Sequence, residues 1–460
     1  MPTIKVDAFG GIVPKLHPTL LPDGCATKAH NCVLKSGKLV PLRQPLKVSG
    51  LRIRMENGMT KLSDAKSITI WHRGSTDEML AWPGLVDVAQ SNIADDEYKR
   101  LFVTGETGVG TSGTEPCVYL ATSTGTGVIR YSMVKDVLPA PVITAARELT
   151  LEEKPNARYT VFFQSWVDAY GYESGASLPS EDTDETQTTY IDGMAVNIDA
   201  TPAPANAVAR RIYKVVAGTE SESIQFVLEQ PVIAGVFSAR AFSMRDEDAG
   251  EVMPNLVGIK PDLIGMKKVP GDFFVGFSKS NLREVRFSEV SIPCSWPDLY
   301  AYSVHDDIVG LGVTLNSVFV LTKGMPWAIT GTAPESMTPT MLASQQGCVS
   351  VRSICTMDGA VFYASADGVC VLRDGVATVQ VVTSGIFSKR EWAALGPSSC
   401  VMEAYDGALH LWFLGNPLLG GYTINFNDGN AAVTTNDEVA KAVCVDPVTD
   451  KLYFVRSVGA

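Results

Sequence analysis

His305-Asp306-Asp307 sets an imidazole beside two carboxylates, a composition that could orient a general base. Glu284, Glu289 and Glu335 could supply the paired carboxylates of sugar hydrolysis, yet nothing in their spacing pairs them. In a chain with 50 Asp and Glu residues, such acids are expected by chance. Gly105-Glu106-Thr107-Gly108-Val109-Gly110-Thr111-Ser112 follows an apolar run and has the outline of a phosphate-binding loop. It carries Thr111 where that motif needs a lysine for the β and γ phosphates, and no helix-forming run follows to aim backbone donors. A loop between strands is the expected reading. The five histidines, at 17, 30, 72, 305 and 410, share no metal spacing. Cys25-x6-Cys32 and Cys348-x6-Cys355 are too wide for the paired knuckles of zinc sites. The residues therefore predict no catalytic group, no metal and no cofactor.

Other reactive or aromatic residue types read as structural. Nine cysteines are an odd number, scattered, and several lie in apolar runs such as Gly368-Val369-Cys370-Val371-Leu372, which predicts buried free thiols in a chain made in a reducing cytoplasm. Tryptophans 71, 82, 166, 296, 327, 392 and 412 sit mostly in strand-like runs, so a core role is expected over a carbohydrate-stacking platform. No stretch reaches the roughly 20 apolar residues of a membrane helix, and the first 16 residues lack the apolar core of a signal peptide. A net charge of −12 has the wrong sign for gripping phosphate backbones. It suits solubility, or a ring of acidic subunits lining a passage from which DNA is repelled.

The elements that would position these residues are strands. The chain has 460 residues, so two or three domains are expected. Its 40 Gly and 26 Pro punctuate short β-branched and aromatic runs, while helical periodicity is hard to find. Asp-Gly pairs at 358, 367, 374, 406 and 428 each separate two such runs, a strong hairpin signal. Similar strands recur at Val318–Leu321, Val361–Ser365, Leu409–Phe413 and Leu452–Val455, about 40 to 50 residues apart, the blade spacing of a β-propeller. Ile68–Trp71, Met79–Trp82, Leu101–Val103, Val118–Leu120 and Val128–Tyr131 extend the pattern toward the N-terminus. From Pro139 to about Val252 the strands are longer and alternate, with an acidic Thr-rich stretch at Ser180–Thr189. About seven strands in that span suit a sandwich of the immunoglobulin or fibronectin type III sort.

Three groups of segments carry a family resemblance. The first is Phe9–Pro14, Leu20–Ala26, Ala29–Leu34 and Ser36–Leu42, read as an extended arm, one or two helical turns around Ala26–Asn31, and a Ser-Gly turn into a strand. The second is Trp166–Ser177 with Arg211–Lys214, similar to the strand and corner of fibronectin-like modules in phage tail proteins. The third runs through Pro270–Phe277, Val285–Glu289, Ser295–Pro297, Thr322–Trp327, Gly331–Met337 and Val361–Gly368. The first group looks like the opening of a family of bacteriophage virion proteins, and the third resembles the propeller part of the tail nozzle, or hub, proteins of short-tailed bacteriophages.

The resemblance implies an all-β chain: a docking arm at 1–39, a β-propeller at 40–138 and 253–460, and a fibronectin-like insertion at 139–252. It implies a virion protein of the tail, assembled in the host cytoplasm as a homohexamer. The ring would sit below the head-to-tail adaptor protein, carry tail fibre or spike proteins, and pass DNA through its channel without specific binding. No catalytic residue comes with the family. Leu20, Leu21 and Leu39 are the expected interface residues, because apolar side chains on an extended segment need a covering surface. Packing of those leucines on the parent propeller is the alternative. A receptor- or glycan-binding tail module is the alternative function, and a polysaccharide-degrading enzyme using Glu284 or Glu289 is a third.

Overall fold

The computed structural model describes residues 9–35, 38–74, 76–91, 93, 95–122, 127–180, 189–217, 222–243, 245–427 and 430–456. Strands make up 45% of the chain and helical turns 8%, so the protein is all-β, built from many small sheets. The one α-helix among the described residues, Lys389–Leu395, is capped by Ser388 and Glu391 in a reciprocal box and stopped by Gly396 in the left-handed region. Two compact units result: residues 1–132, 261–290 and 301–460 form the first, and residues 133–260 with 291–300 form the second.

Among the described residues the first unit holds seven successive sheets, numbered here I to VII, and a separate hairpin of Cys32–Lys35 with Lys38–Pro41. Sheet I contains Ser67–His72, Asp77–Trp82 and Arg52–Met55, the last paired in parallel to the middle strand. Sheet II is Val86–Gln90, Leu101–Gly105, Cys117–Ala121 and Val128–Ser132. Sheet III is Leu263–Val269, Phe273–Ser278, Glu284–Phe287 and Ala301–Ser303. Sheet IV is Ile308–Val313, Ser317–Thr322, Trp327–Thr330 and Thr338–Met341. Sheet V is Cys355–Met357, Ala360–Ala364, Val369–Arg373 and Gln380–Val381. Sheet VI is Cys400–Tyr405, Ala408–Phe413, Gly421–Asn427 and Asn430–Asn436, and sheet VII, among the described residues, is Ala440–Asp446 and Lys451–Arg456. Each four-stranded sheet is an antiparallel meander, as short connections between consecutive strands require.

The first strands of successive sheets lie side by side: II against III, III against IV, IV against V, V against VI, VI against VII, and VII against I. Between I and II, Ser67 Oγ accepts the Val86 N–H at 3.1 Å, so the circuit closes. Apolar clusters fill the spaces between neighbours. Trp71 and Trp82 of sheet I meet the edge of Tyr119 of sheet II at 6.3 and 6.1 Å. Phe102 meets Phe274 across II and III at 5.2 Å. Phe362 and Val371 of sheet V pack with Leu409 and Leu411 of sheet VI. Both faces of a sheet are thus covered, which is why strands such as Phe273–Ser278 are buried at every position instead of alternating. Each such buried aromatic or aliphatic side chain contributes about 1.5–3 kcal/mol.

Residues 9–35 lie on sheet VI of the same chain. Gly11–Ile12 pairs in parallel with the outermost strand at Val433, and Cys25–Ala26 pairs with Gly11–Ile12. No helical turn forms at Ala26–Asn31, contrary to expectation; the single turn there is the 3-10 turn Pro18–Leu20. The backbone of Ala29 and Asn31 is engaged instead by Thr435 of sheet VI, so a ladder contact displaces the local preference. Ser36-Gly37, the expected turn, and Asp428-Gly429 lie outside the described residues, as does most of Ser180–Thr189.

The second unit contains two three-stranded sheets. One orders Ile143–Ala145, Val196–Ile198 and Arg240–Phe242; the other orders Phe162–Asp168, Ala207–Ala217 and Glu222–Pro231. Ile143, Val196 and Ile198 of the first share a core with Phe162, Ile212 and Val227 of the second. At the corner, Asp168 Oδ1 accepts the Tyr170 and Tyr172 N–H groups, and Lys135 pairs with Asp168 at 2.6 Å.

Candidate functional site

In the structure the residues with chemical potential are engaged by near neighbours. The His305 ring lies against Trp327 at 5.4 Å, Asp306 accepts the Met325 N–H, and Asp307 pairs with Lys323 and Arg283. The two cations hold the Asp307 carboxyl below its ordinary range. No carboxylate of that run orients the imidazole. Glu284 is held by Arg286, Glu289 accepts the N–H of its neighbour Val290, and Glu335 sits in a separate 3-10 turn. Six of the seven tryptophans are buried, and Trp327 is half-buried. Gly105, Gly108 and Gly110 all have positive φ in a turn between strands of sheet II, with Thr107 Oγ1 bonded to the Glu115 carbonyl. All nine cysteines are unpaired, and burial pushes the Cys117 thiol up to about 12. No cluster of three metal-ligating side chains occurs among the described residues.

Of the expected interface leucines, Leu20 is 69% exposed and Leu39 49%, while Leu21 is half-buried. Ile12, Ala29 and Leu34 of the same N-terminal segment are buried. The segment therefore presents two kinds of apolar side chain: those spent on its own sheet VI and those left in water.

The structure assembles a polar group that sequence reasoning missed. Asp87, Lys267 and Glu403 stand on the first strands of sheets II, III and VI. Lys267 Nζ lies 2.8 Å from Asp87 Oδ1, and that carboxylate holds the ammonium above its ordinary value against the opposing effect of burial, with Glu403 adding to it. Burial pushes Glu403 up to about 7, offset in part by the Ala404 N–H and by Lys267. No sequence signal could have joined these residues, because circuit closure alone brings together positions separated by well over a hundred residues.

From Glu403 a polar row crosses sheet VI. Its cross-strand partner is His410, whose partner is Thr423, whose partner is Thr434. His410 Nδ1 and Thr423 Oγ1 are 3.3 Å apart, and burial lowers the imidazole to about 4. Carboxylate, imidazole and hydroxyl in line have the composition of a nucleophilic triad. Thr423 is 1% exposed, so no substrate carbonyl can reach it. The row ends at Thr434, whose buried Oγ1 has no hydrogen-bond partner among the described residues. A cleft of about 190 Å³ bordered by Asp358, Arg373, Gln380 and Phe426 is smaller than a usual ligand pocket.

No protein-family model matches the chain, and no curated protein matches it. Among solved structures, similarity extends to BBS1N in complex with ARL6DN, at 9% identity over 54% of this chain and 84% of that one, TM-score 0.29. Hsv2 of Kluyvelomyces marxianus matches at 8% identity over 57% and 69%, TM-score 0.29. The extracellular domain of a one-component system of B. thetaiotaomicron matches at 12% identity over 92% and 60%, TM-score 0.30. Likeness at that level assigns neither family nor activity.

Proposed function

We propose that the chain is a structural ring component of a short-tailed bacteriophage tail, of the nozzle kind. In this reading the first unit is a seven-bladed β-propeller and the second a fibronectin-like sandwich. Six copies form a ring below the head-to-tail adaptor, support fibres or spikes, and leave a passage for DNA. The observation that carries it is the closed circuit of first strands. Such a circuit buries both faces of inner strands such as Phe273–Ser278 and gives a wedge whose outer surface is left for neighbours. The nozzle assignment rests on the segment resemblance, and exposed Leu20 and Leu39 supply apolar surface for assembly. The buried tryptophans disfavour a glycan-stacking platform. The test is to mix the purified chain with portal–adaptor complexes and image the product. A sixfold ring on the adaptor is expected. A chain that stays monomeric and instead retains bacterial envelope saccharide sinks the reading.

A further inference from the structure

The circuit is short of strands at two neighbouring positions, sheet I with three and sheet VII with fewer still. Sheets II to VI each place four consecutive strands in it, whereas sheet VII, among the described residues, has two. The chain itself crosses this gap. Leu42 N–H bonds to the Asn31 carbonyl, and Asn31 N–H to Thr435 on the outermost circuit strand of sheet VI. Leu51, at the other end, packs on the cluster shared by sheets VII and I. Residues 43–50 must therefore pass along the outer side of sheet VII. All eight are exposed, and among the described residues they make no backbone hydrogen bond. A strand seated between the flanking sheets would be half-buried, so this strap stands off the sheet, and among the described residues the outer edge of Lys451–Arg456 has no ladder partner.

The strap has strand chemistry nonetheless. Leu46 and Val48, 90% and 48% exposed, alternate with Lys47, and Pro45 marks where pairing can begin. Arg43 and Lys47 make no ion pair among the described residues. Residues 42–56 hold four cations and one acid on a chain whose net charge is −12. The complementary partner for a basic strap on an acidic protein is another copy of that protein.

We infer that a strand from a second copy of this chain inserts between Lys451–Arg456 and the strap, taking the third position of sheet VII while 43–50 closes on it as the fourth. The contact is heterologous, so its repetition around an axis closes a ring. This deepens the proposed assembly and rests on it for the choice of partner.

The test uses the full chain. Hydrogen exchange is compared between monomer and assembled ring, with Val48→Pro and Leu46→Asp as variants; both alter exposed strap positions, so their melting should match wild type. Expected are slowed exchange at 452–455 and 46–49 on assembly, and at least a tenfold loss of assembled fraction in each variant. Rings that form with those amides unprotected overturn the strand insertion and leave the nozzle reading standing. Alternate amides of 452–455 are already bonded to Ala440–Asp446, so the readout is the outward-facing ones; protection of those in the monomer also overturns it, since the same chain then fills the place. A wild type that never assembles, even on the adaptor, removes both.

Discussion

Glu403 shows how a single side chain registers the interior of this molecule. Its carboxyl is pushed up to about 7 by burial, above the ordinary carboxylate value, so the folded state holds a proton that the unfolded chain releases. Folding stability from this group is therefore greatest below the ordinary value, declines as pH rises toward 7, and is level above it. Glu403→Gln keeps the shape and removes the charge. Thermal melts should show the variant gaining about 1–3 kcal/mol over wild type at pH 8 and nothing near pH 4. An equal gain at both pH values would mean that packing and not ionisation is responsible. Lys267→Met, which removes the attractive ammonium, should push the same transition further up.

Among the elements, the parallel addition of Gly11–Ile12 to sheet VI is the contact most sensitive to backbone geometry. Gly11 has φ +79, and a Cβ there would lie 2.5 Å from both the N and O of Val433. No side chain fits without moving the edge strand. Gly11→Val should cost about 2–3 kcal/mol and release the segment, seen as new cleavage between residues 9 and 35 in limited proteolysis. Unchanged cleavage would show that the segment is held by Ile12, Ala29 and Leu34 alone. The hairpins follow simpler rules. Asp358-Gly359 and Asp406-Gly407 have positive φ at both residues and join Met357 to Ala360 and Tyr405 to Ala408 in two-residue turns.

At the scale of the whole first unit, closure between sheets VII and I matters most. His72 places Nδ1 2.8 Å from Asp77 and Nε2 2.7 Å from Asp446, and both contacts are hydrogen bonds only when both nitrogens carry protons. Burial opposes the imidazolium, but the bonds to Asp446 and Asp77 outweigh it and raise its pKa. A raised folded value means the tie is complete below the ordinary histidine value and is lost as pH rises through the folded one. Wild type should thus lose about 1 kcal/mol of closure on passing from pH 6 to pH 8.5. His72→Asn should flatten that slope, and a slope that survives in the His72→Asn, Glu403→Gln double variant would place its origin elsewhere.

Much of the all-β character was legible from local patterns. Val361–Ser365, Asp367-Gly368 and Val369–Leu372 read as a hairpin because turn chemistry and strand propensity are properties of adjacent residues, and the strands Ala360–Ala364 and Val369–Arg373 pair accordingly. The tryptophans read as core for the same reason, since an apolar run carries its own burial signal. The expected helical turn at Ala26–Asn31 failed because its backbone found partners on Thr435, some four hundred residues away. The Asp87–Lys267–Glu403 group, the His72 tie and the two-stranded seventh sheet had no signature at all. Residue order thus determined strands, turns and the placing of apolar side chains, which depend on near neighbours. Which charges meet, and where a sheet is left short, was decided only by tertiary structure, because closing a circuit joins positions whose separation along the chain carries no information about their distance in space.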